Sequence, residues 1–363
     1  MHFNHLIMEI QLNISPLPFG EKPYIIAGPC SAETREQTLG TARELNNNGV
    51  KLYRAGLWKP RTMPGAFEGA GIKGLEWLLQ VKNETGMMVA TEVATREHVE
   101  ACLEAGIHVM WIGARTTTNP FAVQEIADTL NGRDDVVMLV KNPVNPDIDL
   151  WIGALQRINN AGITMIGAIH RGFGTSGRHL YRNAPEWHIA IELHRRFPHL
   201  PVLCDPSHMG GKREYVPTLS QNALDMGFDG LFVESHCNPS CALSDSEQQL
   251  TPSELYGMLK SLIIRRQGCQ NETLDALRCL IDECDDNLIE ILSKRMSISR
   301  EIGNYKKEHD MQVVQTSRFD EILKQRIKQA QEMGMSDNFI KTLMTAIHQE
   351  SVRQQIDILN NNN

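Results

Sequence analysis

From residue 24 onward, eight short runs of apolar and β-branched residues recur along the first 260 positions: Tyr24–Ala27, Val50–Tyr53, Met87–Ala90, Val109–Ile112, Val136–Val140, Met165–Ile169, Val202–Leu203 and Leu231–Val233. Each has the length and apolarity of a strand buried on both faces. Stretches with three- and four-residue apolar spacing lie between them, among them Glu33–Asn47, Ile72–Lys82, Arg96–Glu104 and Glu186–Arg196, and these predict helices. Alternation implies a parallel sheet. Eight βα units in about 240 residues fit a closed (β/α)8 barrel better than an open doubly wound sheet.

The pattern changes after Arg265. The polar passage Arg265-Arg-Gln-Gly-Cys-Gln-Asn271 reads as a linker at 266–271, dividing an α/β barrel at 1–265 from an all-α region at 272–363. From Glu272 to about Lys307 there is no proline, and Leu274, Leu277, Ile281, Leu288, Ile291, Leu292, Ile298 and Ile302 recur at helical spacings. At 1.5 Å per residue this helix spans about 54 Å, too long for two short helices of its own chain to cover. A second chain is expected to pack on it, making a homodimer through the helical domain. Two more helices are predicted, Thr316–Met333 stopped by Gly334 and Asp337–Leu359 started by Ser336 as N-cap.

Composition follows the same division. All 16 prolines, all five tryptophans and 25 of 27 glycines precede residue 270, while the last 94 residues hold only Gly303 and Gly334. Each region carries a net charge of −4 (24 minus 28, then 12 minus 16), so neither has the basic excess that nucleic acid or an anionic membrane attracts. No apolar run approaches the roughly 18 residues of a membrane span, and the first 20 residues lack the basic start and apolar stretch of an export signal. The expectation is a soluble cytoplasmic protein. Its eight cysteines include no C-x-x-C pair, and most are expected to be reduced thiols.

In a (β/α)8 barrel the functional groups sit at the C-terminal strand ends. Here every strand end is polar, in order Cys30, Arg54, Glu92, Arg115, Lys141, His170 with Arg171, Asp205 with His208, and Glu234. Arg54, Lys59, Arg61, Arg115, Lys141 and Arg171 bring six positive charges towards one mouth in an acidic protein. Such clustering implies small anions, phosphates and carboxylates above all. Cys30, His208 and Glu234 end strands that become neighbours on closure, and Asp245 follows the last strand. A thiolate, an imidazole and carboxylates suit Mn²⁺, Fe²⁺, Co²⁺ or Zn²⁺ without selecting among them. The glycine-rich Gly172-Phe-Gly-Thr-Ser-Gly177 matches a dinucleotide fingerprint but is followed by polar loop residues rather than a helix, so it reads as an anion-facing loop.

Gly28-Pro-Cys-Ser31, Arg54-Ala-Gly, Lys59-Pro-Arg-Thr62, Ile112-Gly-Ala-Arg115, His170-Arg-Gly172, Asp205-Pro-Ser-His208 and Val233-Glu-Ser235 resemble 3-deoxy-D-arabino-heptulosonate 7-phosphate (DAHP) synthase across about residues 20–265. The resemblance is to the compact type I-beta form, and with roughly 20 residues before the first strand the expectation is a barrel without the extra N-terminal regulatory domain that some relatives carry. It implies Cys30, His208, Glu234 and Asp245 as ligands of a divalent metal, Mn²⁺ first. It implies Arg54, Lys59, Arg115, Lys141 and Arg171 as the phosphoenolpyruvate site, and Arg61 with Thr62 as erythrose 4-phosphate contacts. Lys59 is the implied proton donor. The nearest rival is the sister synthase that uses arabinose 5-phosphate, but its segment typically reads Lys-Ala-Asn-Arg where this chain has Lys-Pro-Arg-Thr.

In the helical region Arg295 and Lys306 are 11 residues apart, so they project about 20° apart and roughly 16 Å along the axis, while Arg278 projects about 100° away from Arg295. Ser351 and Gln355 share a face of the last helix. Leu274-Asp-Ala-Leu-Arg278, Ile281-Asp-Glu-Cys-Asp285, Ser293-Lys-Arg295, Gly303-Asn-Tyr-Lys306, Arg318 and Ser351-Val-Arg-Gln-Gln355 resemble the all-helical chorismate mutases, whose dimers build each site from both chains. The resemblance implies Arg278 and Arg295 on the carboxylates of chorismate, Lys306 and Gln355 as catalytic groups on the ether oxygen, and Arg318 and Ser351 near the substrate. Gln315 and Phe319 stand where relatives often carry acids that bind the hydroxyl; Gln315 can still bind it and Phe319 cannot. The expectation is a bifunctional enzyme of aromatic amino-acid biosynthesis, with prephenate as inhibitor. The alternative is a helical domain that chiefly senses chorismate or prephenate.

Overall fold

The computed structural model describes residues 11–59, 67–175, 180–265, 272–314 and 316–360, with side chains described except at 272–276 and 316–318. The chain divides into two compact units, Met1–Gln267 and Gly268–Asn363.

The first unit is a closed barrel of eight parallel strands: β1 Tyr24–Gly28, β2 Leu52–Arg54, β3 Met88–Val93, β4 Val109–Ile112, β5 Val137–Lys141, β6 Ile166–His170, β7 Val202–Cys204 and β8 Gly230–Glu234. β8 closes on β1 in register, with Tyr24 opposite Gly230 and Gly28 opposite Glu234. The barrel expectation holds, with one systematic difference. Seven strands run past the C-terminal end of their apolar run, taking in Gly28, Arg54, Val93, Lys141, His170, Cys204 and Glu234. The ladder bonds backbone to backbone, so a polar side chain at the mouth continues a strand that hydropathy alone would end.

Two apolar layers hold this unit. Inside the barrel, Ile26, Leu52, Ala90, Trp111, Leu139, Ile169, Leu203 and Phe232 pack together, with Leu17 alongside. Outside it, the opposite strand faces pack against the helices through residues such as Tyr53, Val89, Met110, Leu155 and Leu231. Because both faces are covered, the strands read as nearly unbroken apolar runs. The helices Arg35–Asn47, Lys73–Thr85, Arg96–Glu104 and Trp187–Arg196 occupy the predicted stretches. Thr34, Thr95 and Asp147 accept the N-cap bonds that start three of the barrel helices.

The glycine-rich segment opens no helix among the described residues. Phe173–Gly174 instead pairs antiparallel with Asn183–Ala184, a two-stranded ribbon standing beyond β6. The second unit contains three helices, Glu272–Glu308, Thr316–Glu332 and Asp337–Asn360. Gly303 sits where the first and third meet, and a Cβ there would lie 3.2 Å from Gln355 Cγ, so glycine allows the close approach.

Candidate functional site

Arg54 ends β2 fully buried, its guanidinium 5.0 Å from the Trp111 ring centroid and 4.5 Å from that of Phe232, the rings that top the barrel interior. Its Nη2 donates to Glu234 Oε1 at 3.3 Å and to Cys30 O at 3.4 Å, while Nε and Nη1 have no hydrogen-bond partner among the described residues. Buried donors of this kind call for an anion. Gly28 makes room for β2 here, since a Cβ at its φ of 153° would overlap the Arg54 carbonyl oxygen.

A cavity of about 410 Å³ at the barrel mouth is lined by Lys59, Glu92, Arg115, Lys141, Arg171, Arg182, Asn183, His208 and Asp245. Lys59 Nζ lies 3.7 Å from Glu92 Oε2. Burial disfavours its ammonium, but Cys30 and Glu92 outweigh burial and hold the pKa above the ordinary lysine value. Lys141 ends β5 and donates to Asp205 Oδ2 at 2.7 Å; burial pulls its pKa down against that carboxylate. Arg171 donates through Nη1 to Asn183 Oδ1 at 2.8 Å and through its backbone N–H to Asn142 Oδ1 at 2.7 Å. Burial lowers the Arg171 pKa to about 10, which still leaves the group charged at neutral pH. A larger cavity of about 850 Å³ adjoins this one, sharing Thr175, Arg182 and Asp245.

At one wall, ligand atoms of Cys30, His208, Glu234 and Asp245 all lie within 4.8 Å of one another. Cys30 Sγ is 3.2 Å from Asp245 Oδ2, and His208 Nε2 is 3.6 Å from Glu234 Oε1. Asp205 caps the short helix Pro206–Gly210, accepting from His208 N–H through Oδ1, and its Oδ2 meets His208 Nδ1 at 2.8 Å, leaving Nε2 towards the cluster. Burial, aided by the Glu234 carboxylate, pushes the Cys30 thiol up to about 12. A divalent cation reverses that balance, because a coordinated thiol is deprotonated. The donor set, its burial and the anchored imidazole fit such an ion.

The strand-end pattern brings these groups together with one exception. His170 lies apart from the cavity, its ring among Trp151, Phe173, Trp187 and Phe228 and its Nε2 at the Pro185 carbonyl oxygen. Arg61 and Thr62 lie outside the described residues. Four supporting residues carry no sequence signal: Gln248 Nε2 donates to Glu234 Oε2 at 2.7 Å, Gln249 Oε1 accepts from Cys30 N–H, Arg182 donates to both Asp245 and Gln248, and Asn183 Nδ2 donates to His208 O at 2.6 Å. The Asp205 anchor had a signal in its place three residues before His208 at a helix start.

In the helical unit, Arg295 Nη1 donates to Ser351 Oγ at 2.6 Å, and Lys306 Nζ donates to Gln355 Oε1 at 3.3 Å and to Val313 O at 2.6 Å. Gln355 Nε2 in turn donates to Ser299 Oγ at 3.0 Å. Lys306, Ser351 and Gln355 are buried, and Arg278 lies on the part of the long helix, 277–291, whose residues are exposed all round. The Phe319 ring stacks on His348, centroids 4.1 Å apart. Gln315 and the Arg318 side chain lie outside the described residues.

Residues 18–265 match the family described as the DAHP synthetase I family. The chain belongs to this family. Residues 277–356 match the chorismate mutase type II family, so this DAHP synthetase I family member carries a chorismate mutase domain at its C-terminal part. A curated relative from Thermotoga maritima, phospho-2-dehydro-3-deoxyheptonate aldolase, is 38% identical over 62% of this chain. The chain spans 64% of that relative's length. The crystal structure of the Thermotoga maritima phospho-2-dehydro-3-deoxyheptonate aldolase (DAHP synthase) is similar with a TM-score of 0.59 at 35% identity, covering 65% of this chain and 66% of that one. A 2-dehydro-3-deoxyphosphooctonate aldolase from Trichlorobacter lovleyi is 30% identical over 70% of this chain and 96% of its own length. No helix among the described residues is long and apolar enough to cross a membrane.

Proposed function

We propose that the barrel, residues 1–265, condenses phosphoenolpyruvate with erythrose 4-phosphate to give DAHP and phosphate, and that the helical unit, 272–363, rearranges chorismate to prephenate. The observation carrying the first activity is a cavity lined by Lys59, Arg115, Lys141 and Arg171 together with His208 and Asp245, two members of the Cys-His-Glu-Asp donor set, whose Glu234 is bonded to the buried Arg54. Cations that bind both a phosphate and a carboxylate, beside donors for a divalent ion, match an enol phosphate meeting an aldehyde.

Cys30, His208, Glu234 and Asp245 would hold the ion, Mn²⁺ first among Mn²⁺, Fe²⁺, Co²⁺ and Zn²⁺; when bound, it supplies Lewis-acid polarisation of the aldehyde oxygen. Arg54, Lys141, Arg115 and Arg171 orient phosphoenolpyruvate so that its methylene carbon faces the aldehyde carbon. The new C–C bond takes the enol electron pair, and Lys59 gives its proton to the aldehyde oxygen as negative charge builds there. Water adds to the electron-poor carbon left behind; as the C–O bond to phosphate breaks and the ketone forms, one of the water protons leaves with the phosphate and the other returns to Lys59. Arg61 and Thr62 are the proposed contacts to the erythrose 4-phosphate phosphate.

The mutase reaction breaks a C–O bond as it forms a C–C bond within one molecule, so it needs no nucleophile. Lys306 and Gln355 would meet the ether oxygen as charge develops, and Arg295, with Arg278, the carboxylates. Ser351 holds Arg295, and Arg318 and Gln315 are further proposed contacts. The exposed apolar residues of the long helix, among them Ile281, Leu288, Ile291 and Ile298, support a homodimer through this unit. We assign the protein to the cytoplasm, with prephenate as its inhibitor.

The test incubates the full chain with phosphoenolpyruvate and each aldose phosphate in turn. Condensation with erythrose 4-phosphate is expected, and a preference for arabinose 5-phosphate overturns this choice for the sister activity. Phe319 favours a second reading of the helical unit as a sensor. Prephenate binding without chorismate turnover would establish it.

A further inference from the structure

We propose that His348 contacts the substrate in the mutase site, its imidazole meeting the ring hydroxyl that relatives bind with an acid at the position of Phe319. The inference rests on the mutase reading and adds a residue that neither the family motifs nor the helix spacing picks out.

The third helix presents His348, Ser351 and Gln355 at spacings of three and four, so the three share one stripe. Two of them already meet the first helix, Ser351 at Arg295 and Gln355 at Lys306. His348 therefore extends the row of polar groups that faces the cations of the first helix. Its ring is held by Phe319 of the second helix, with the planes only 20° apart. Stacking fixes the plane and leaves the ring edge, where both nitrogens lie, to hydrogen-bond. Neither nitrogen has a hydrogen-bond partner among the described residues, and the residue is half-buried, so the edge is supported without being used up.

The chemistry suits a hydroxyl. A neutral imidazole offers one donor and one acceptor, and a hydroxyl needs both. Partial burial and the charges of Arg295 and Lys306 hold the His348 pKa below the ordinary histidine value, which keeps the ring neutral. Phe319 and His348 thus form a pair: the side chain that cannot bind a hydroxyl positions the one that can.

The experiment compares chorismate with an analogue lacking the ring hydroxyl, on the full chain. His348→Phe keeps the ring stack and removes both nitrogens. It should lower kcat/KM for chorismate by about 10- to 100-fold, since a hydroxyl left unpaired in a site built to bind it is strongly penalised, and should change the analogue little. His348→Gln, with a donor and an acceptor, should keep most of the discrimination. Adding Phe319→Glu to His348→Phe should restore it. Equal losses on both substrates, or no loss, overturn the inference. Turnover by the unaltered protein tests the mutase reading separately. If turnover is absent, the same discrimination read by calorimetric binding of the two compounds decides the role of His348 alone.

Discussion

At the scale of single residues, the proposed metal site depends on groups outside its four donors. Gln248 shows why. Its amide donates to Glu234 Oε2 at 2.7 Å while its carbonyl oxygen accepts from Arg182, which also holds Asp245. Two donors of the proposed metal site thus share one brace. Removing it leaves all four donors present but two of them free to turn. Gln248→Leu is expected to weaken divalent-metal affinity by about 10- to 100-fold, measured by metal titration of the chelator-stripped protein, with condensation restored at saturating metal. Glu234→Gln should not be restored in this way, because it removes a donor. The cations and donors at strand ends were readable in the sequence, because a barrel brings strand ends together whatever their separation. The braces were not readable. Gln249 reaches Cys30 across 219 residues and Arg182 reaches Asp245 across 63, from loops whose paths no periodicity records.

At the scale of elements, strands and helices were visible because burial on both strand faces writes unbroken apolar runs, and N-caps such as Thr34 and Thr95 mark where helices begin. The ribbon Phe173–Gly174 with Asn183–Ala184 was hidden because two-residue strands carry no pattern. That ribbon bears on the site, since Asn183 touches both Arg171 and the backbone of His208. Its packing runs through His170, whose ring lies between Phe173 of the ribbon and Trp187 of the following helix. Burial lowers the His170 pKa from 6.5 to about 4, so folding favours the neutral ring. Between those values the unfolded chain binds the extra proton and the folded one does not, and stability falls with acidity. This group's contribution is complete above about pH 6.5 and is lost as pH falls to about 4, on the order of 3 kcal/mol. The denaturation midpoint of the full chain is expected to drop across that window. His170→Leu, which cannot titrate, should show a shallower slope; an unchanged slope would assign the acid sensitivity to other groups.

At the scale of the whole molecule, the chain divides into two compact units, and each is proposed to act on small anionic molecules. Joining them gives a physical route to control. An inhibitor bound to the helical unit affects the barrel only if the state it prefers is one in which condensation is slower, and its difference in affinity for the two states limits how far it can shift the equilibrium. The proposal that prephenate inhibits therefore makes a paired demand. Prephenate should slow condensation in the full chain and leave a truncation ending near Arg265 unaffected, as measured by phosphate release. Because coupling between binding events is reciprocal, phosphoenolpyruvate bound to the metal-loaded barrel should weaken prephenate binding by the same factor by which prephenate weakens phosphoenolpyruvate binding. Calorimetry on the full chain reads both. Equal inhibition of the truncation would place the prephenate effect in the barrel itself, where Arg54, Lys141 and Arg171 already gather the positive charge that a dicarboxylate needs.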